Sequence, residues 1–288
     1  MKTNEIDSLI HLLDDPDREI YSIISTRLIE QGAKIIPLLE RAWEVSPNTL
    51  QQERIENILH CLQSNVATQG LEGWVGHRYH NLLEGAYWVA KQTYPNLHLE
   101  DLQVVINDIC KDVWINLQDN MPPEEKIRTL DFFFFRHHNF HLVGDDNFQP
   151  QHNYINNVIE SHTGNPVPLS LLYLHIGQQA GLPLQAVCMP NSLLLAYTGD
   201  NSEVLFYSHI FQPGAKMFRK DIDLYFRRSN IKPKDDYYLP KPNTDALLYL
   251  IGMQIYCYER EENTAKVELF RRLLPLFGVN KSFFDDLD

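Results

Sequence analysis

The sequence is poor in cysteine, and its cysteines are widely spaced. Only four occur in 288 residues, Cys61, Cys110, Cys188 and Cys257, and no two form a Cys-x-x-Cys pair. This spacing argues against a disulfide framework and against a cysteine-based zinc site. We interpret the four side chains as reduced thiols that are mostly buried.

Long apolar runs and basic clusters are also missing. No run reaches the roughly 18–20 apolar residues of a membrane-spanning helix, and no charged segment followed by an apolar one opens the chain. The formal net charge of −13 is spread along the chain, which has 44% hydrophobic and 22% charged residues. Such a composition favours a globular protein and disfavours nucleic acid or an anionic membrane as partner. We therefore expect a cytoplasmic protein without a cofactor.

Residues 1–66 have the pattern of two helical hairpins. A cap at Asp15 with Pro16 at the first helical position is predicted to start a helix that ends at Gly32. Two further helices are predicted over residues 35–43 and 52–62. The order of an apolar stretch, an Asp-Pro turn and an amphipathic helix resembles HEAT-like repeats.

Residues 67–228 change from helical to strand-like patterns. Apolar stripes predict helices up to the aromatic block at residues 132–135, and Asn165, Pro166 and Gly181 delimit a central helix. Short apolar runs at 184–189, 193–197 and 204–207 predict antiparallel strands. Residues 229–288 return to helix, with a hairpin over 246–258 and 264–277 that resembles a tetratricopeptide-like unit. The predicted fold class is α+β, mostly helical, with a small antiparallel sheet flanked by helical hairpins.

Four short segments carry a family resemblance. They read HNYINNVIE at 152–160, GNPVPLS at 164–170, GLP at 181–183 and VCMPNS at 187–192. Together they resemble the SirB-type transglutaminase-like family. The resemblance implies a papain-like core in which a cysteine at a helix start, a histidine on one strand and an aspartate on the next form a catalytic triad.

The triad positions implied by this resemblance hold other residues. Anchoring on the GLP segment puts Pro166 at the nucleophile position, Ser192 at the base position and Ser208 at the carboxylate position. Proline has no nucleophilic group and no backbone N–H for an oxyanion hole. Serine is not a general base near neutral pH. The sequence thus predicts a site without nucleophile, base or carboxylate.

Two alternatives keep a chemical role open, and a third candidate, Cys188, is interpreted as a core residue. Ser170, one turn beyond Pro166, could replace the nucleophile of a hydrolase or acyl transferase if His162 or His209 acted as its base. The histidines at 137, 138 and 141, with Asp145 and Asp146 nearby, suggest a metal site, although a polar surface loop explains them more simply. Cys188 lies in an apolar context that raises a thiol pKa, which indicates a core residue.

The interpretation that remains is binding. The sequence predicts a non-catalytic, intracellular protein-interaction or regulatory scaffold without a bound metal or cofactor. Its polar, uncharged cleft would hold a peptide or a small polar ligand, and the expected partner is another protein or a peptide. Fixing loops and helix caps is the simpler role for the same residues. The candidate pocket consists of Asn153, Tyr154, Asn165, Ser170, Asn191, Ser192 and Ser208.

Overall fold

The computed structural model describes residues 3–144, 149–190 and 192–282. The chain divides into two compact units, Met1–Gly70 with Lys91–Pro95, and Leu71–Ala90 with Asn96–Asp288. The first unit contains three helices and the start of a fourth: α1 (Thr3–His11), α2 (Arg18–Ile29), α3 (Ile36–Val45) and α4 (Thr49–Gly76).

The helices of the first unit pack around an aliphatic core. Arg54 of α4 is buried, and its guanidinium donates hydrogen bonds to the backbone oxygens of Leu13 and Asp15. Because a buried guanidinium must be hydrogen-bonded, these contacts hold the turn after α1 against α4. The buried aliphatic residues of this core are Ile6, Ile10, Leu13, Ile24, Leu28, Ile35, Leu39, Ile55, Ile58 and Leu62.

The second unit contains the remaining elements, apart from Lys91 at the end of α5. Its helices are α5 (Leu82–Lys91), α6 (Leu99–Asn116), α7 (Pro123–Asp131), α8 (Ile155–Ser161), α9 (Pro166–Gln179), α10 (Arg219–Arg228), α11 (Asn243–Arg260) and α12 (Thr264–Arg271). A π-helical segment, Phe132–His137, follows α7 directly. Its strands are β1 (His141–Leu142), β2 (Thr163–Gly164), β3 (Leu184–Met189), β4 (Ser192–Thr198) and β5 (Val204–Ser208).

Helix α9 lies at the centre of the second unit. Every side chain from residue 167 to 176 is buried, and the helix packs against α6, α11 and the sheet β3-β4-β5. A helix that is apolar on all sides has to be covered on all sides, which explains this position. The sheet is antiparallel, with Met189 opposite Ser192 and Leu195 opposite Ser208. This pairing places the start of β4 and the end of β5 in the same part of the sheet.

The structure confirms the predicted fold class, mostly helical α+β with small sheets. The central helix and the three strands match their predicted ranges closely, and Gly181 ends the helix region with a positive φ of 83°. The predicted cap at Asp15 is wrong: Asp17 caps α2, because its side chain accepts a hydrogen bond from the Glu19 N–H at 2.8 Å.

Helix α4 is longer than predicted. It runs through residues 66 and 67, where the sequence suggested a domain boundary. Its middle lacks a proline or a capping motif that would end it. Among the residues that the structure describes, no helix is both long and apolar enough to cross a membrane.

Candidate functional site

Helix α9 begins at Pro166, the position that resembles a nucleophile position. Asn165 precedes it with an extended backbone (φ −68°, ψ 162°), and its N–H donates to the backbone oxygen of His152 at 3.0 Å. Proline is suited to the first turn of a helix because its φ is fixed near the helical value. Its lack of an N–H costs nothing there, since an N–H in the first turn has no acceptor within the helix. The start of α9 is therefore stable without any side chain that could attack a substrate.

The asparagines before α9 form a buried network with α11. The Asn165 amide donates to Asn153 Oδ1 at 2.8 Å, and the Asn153 amide donates to Cys257 Sγ at 3.3 Å. The hydroxyls of Tyr154 and Tyr258 lie 2.7 Å apart. Burial raises the pKa of Cys257 to about 11, so the thiol is neutral at pH 7. These predicted pocket residues thus bond to one another and to α11 inside the protein.

Ser192 at the start of β4 pairs with His209, just after β5. Ser192 Oγ and His209 Nε2 are 2.8 Å apart, and the backbone N–H of Phe211 donates to His209 Nδ1 at 3.1 Å. Because Nδ1 accepts a hydrogen bond, the proton of the neutral ring is on Nε2 and is donated to Ser192. Burial lowers the pKa of His209 to about 4, so the ring is neutral at pH 7. This tautomer is the one that cannot take a proton from Ser192.

A cavity of about 260 Å³ opens beside this pair. Its wall is largely apolar, with polar groups from Ser192, His209 and Gln212. The exposed ring of Phe211 stacks on the His209 ring at 4.6 Å between centroids. The described residues that line the cavity are Met189, Ser192, Leu194, His209, Phe211, Gln212, Met217 and Tyr225.

Ser208, at the predicted carboxylate position, borders a much smaller space of about 10 Å³. That volume is at the lower limit for a single water molecule. Asp131 of α7 lies on the same space, and the Tyr173 hydroxyl donates to its Oδ1 at 2.9 Å. Burial raises the pKa of Asp131 to about 6. A carboxyl group is thus present near Ser208, but side chains of the protein fill the region around it.

Ser170 and Cys188 are both core residues. Ser170 is 0% exposed, and its Oγ has no hydrogen-bond partner among the described residues. Neither His162 nor His209, the two predicted bases, is therefore within hydrogen-bond distance. His162 Nδ1 instead contacts the backbone oxygen of His138. Burial raises the pKa of Cys188 far above its ordinary value, in agreement with its interpretation as a core thiol.

The three histidines of the suggested metal site separate in the structure. His141 Nδ1 contacts the backbone oxygen of Asn139 at 2.9 Å, and its Nε2 contacts Thr163 Oγ1 at 3.0 Å. His137 and His138 face helix α6 instead. The grouping of all three around one ion is therefore wrong.

Some residues of the sequence-based hypotheses lie outside the described part of the chain: Asn191, Asp145 and Asp146. Two side-chain contacts in the structure are not predicted by the sequence. His209 bonds to Ser192 rather than to Ser170, and Asp112 is the residue that faces His137 and His138. Asp112 lies on α6, 26 residues before His138, so no local sequence pattern links the two.

Residues 100–251 match the sequence profile of the transglutaminase-like superfamily. The chain is similar to a UPF0162 protein of Xylella fastidiosa (strain Temecula1), with 22% identity over 147 residues, 51% of this chain and 50% of that protein. It is 30% identical over 79 residues to a UPF0162 protein of Pasteurella multocida, 27% of this chain and 30% of that protein.

A further relative is human F-box only protein 21, with 22% identity over 259 residues, 77% of this chain and 40% of that protein. The chain thus spans half or less of the length of these curated relatives. No solved structure matches it.

Proposed function

Since the chain belongs to the transglutaminase-like superfamily, we propose that it is a non-catalytic, SirB-type member that binds another protein or a peptide. Pro166 at the start of α9 supports the loss of catalysis, because it supplies neither a nucleophile nor an N–H donor for an oxyanion. The names of the UPF0162 relatives state no activity.

The observation that carries the proposal is the hydrogen-bonded state of His209. Its Nδ1 accepts from the Phe211 N–H, so Nε2–H points at Ser192 Oγ. A serine hydrolase needs the opposite arrangement, with an unprotonated imidazole nitrogen next to the hydroxyl. In the present arrangement Ser192 accepts from His209, and the hydroxyl proton of Ser192 can be donated to a ligand.

The cavity beside this pair has the size and lining of a side-chain pocket. At about 260 Å³ it is smaller than the roughly 300–1,000 Å³ of most small-molecule sites. Met189, Leu194 and Met217 supply apolar contact area, and methionines adapt to different side chains. We propose that it takes one apolar side chain of a peptide whose backbone carbonyl accepts from Ser192.

The helices outside the central core add contact surface in this proposal. The hairpins of α1–α4 act as HEAT-like repeats, and α11 with α12 acts as a tetratricopeptide-like hairpin, because stacked hairpins of this kind commonly bind proteins. A regulatory or scaffold role in the cytoplasm follows as the working hypothesis.

Peptide binding is tested by selecting ligands from a random peptide library displayed on phage and measuring their affinity by fluorescence anisotropy. We expect Phe211→Ala to weaken the selected peptides about tenfold, because it removes an aromatic wall of the cavity. Phe218→Ala is the matched control, since both rings are exposed (51% and 44%) but Phe218 is not among the residues that line the cavity.

Two results would contradict the proposal. One is equal binding of the selected peptides by wild type and the Phe211 variant. The other is release of ammonia or cleaved product from the peptides by wild type and not by Ser192→Ala, which would make the protein an enzyme.

A further inference from the structure

A second cluster of polar side chains lies away from the cavity, between helix α6 and the π-helical segment. Asp112 Oδ2 is 3.0 Å from His138 Nε2 and 3.9 Å from His137 Nε2. One ligand atom from each of the three residues lies within 4.8 Å of the others. Tetrahedral zinc with bonds of about 2.0–2.1 Å would hold its ligand atoms about 3.3 Å apart. The two distances to Asp112, 3.0 and 3.9 Å, lie close to that spacing.

The two histidines lie at the end of the π-helical segment, and both approach the same carboxylate. Here the wider turn of Phe132–His137 ends in His138, whose N–H donates to the Phe133 oxygen at 2.9 Å. Single π-helical turns are rare and occur frequently at functional sites.

We propose that Asp112, His137 and His138 bind a zinc ion. Two imidazoles and one carboxylate are a ligand set that zinc accepts, whereas calcium and magnesium prefer oxygen ligands alone. The three side chains are 40%, 53% and 19% exposed, so an ion reaches them from solvent without unfolding.

Three protein ligands would leave one coordination position of zinc open, and a groove lies beside His137. A cavity of about 420 Å³ is lined by Phe132 and Phe133, whose rings lie 6.5 and 5.5 Å from the His137 ring. The same cavity includes Asn116, one turn beyond Asp112 on α6. Sites with three protein ligands and an open position bind water or a ligand group there.

Zinc binding is measured by isothermal titration of Zn²⁺ into the full chain after chelator treatment. We expect one zinc ion per chain for wild type, and a dissociation constant at least about tenfold higher for Asp112→Ala and His138→Ala. His141→Ala is the matched control, because this nearby histidine bonds to Asn139 and Thr163 instead. Co²⁺ in place of Zn²⁺ should give the intense visible absorption of a four-coordinate site in wild type and His141→Ala only.

The proposal is overturned if wild type binds no Zn²⁺, if all variants bind it equally, or if His141→Ala weakens it as much as the others. Should His138→Ala unfold, His137→Ala carries the same test, since that side chain is half exposed. The cluster shares no residue with the cavity at Ser192, so the outcome is independent of peptide binding.

Discussion

Replacing Phe134 by alanine is expected to lower the free energy of unfolding by about 3–5 kcal/mol. Phe134 is fully buried in the π-helical segment. Its ring stacks on Phe140 at 4.7 Å and meets Tyr173 of the central helix edge-on at 5.3 Å. The alanine variant would lose these contacts and leave a cavity that α9 cannot close. Urea unfolding followed by circular dichroism measures the loss.

Phe132→Ala is the control for this prediction. Phe132 lies in the same segment and has the same side chain, but about half of it is exposed. Its removal should cost less than about 1 kcal/mol, because exposed substitutions leave no cavity. If the two variants lost similar stability, the packing of this segment against α9 would be contradicted.

A valine at Gly177 is expected to destabilise the protein by about 2–3 kcal/mol. A Cβ atom at this position would lie 2.5 Å from Leu184 Cδ1 and 3.1 Å from Leu130 Cδ2. Both leucines are buried, so neither can move aside without disturbing the sheet or α7. The cost exceeds the roughly 0.5–1 kcal/mol that a helix gains when glycine is replaced by alanine. The same urea titration measures it.

Gly73 provides a control with the opposite sign. It lies in helix α4, and a Cβ built there meets no atom within 4 Å. Gly73→Ala should therefore raise stability by about 0.5–1 kcal/mol, through the lower backbone entropy of the unfolded alanine chain. A stability gain at Gly177 as well would show that α9 and β3 are not in close contact there.

The elements that sequence predicts well are those with signals close together in the chain. Asn165, Pro166 and Gly181 delimit α9 within a few residues, and the strands after it are short apolar runs separated by polar turns. The cap of α2 is harder to predict, because Asp15 and Asp17 flank the same proline. Only the hydrogen bond to Glu19 decides between them.

The candidate site is harder to predict from the sequence, because the residues that contact one another there come from distant segments of the chain. His209 reaches Ser192 from 17 residues away, and Asn153 bonds to Cys257 across 104 residues. The π-helical turn has no sequence signal of its own, since a run of four phenylalanines is equally compatible with an α-helix. The contact of His138 with Asp112, 26 residues away, is therefore seen only in the structure.

The most direct test of the central claim is the protonation state of His209, read from long-range ¹H–¹⁵N correlation spectra of the imidazole ring. Because burial lowers the pKa of His209 to about 4, the ring should be neutral throughout the neutral pH range. Because the Phe211 N–H occupies Nδ1, the proton should be on Nε2. A neutral ring protonated on Nδ1, with Nε2 free to accept the proton of Ser192, would contradict the non-catalytic account.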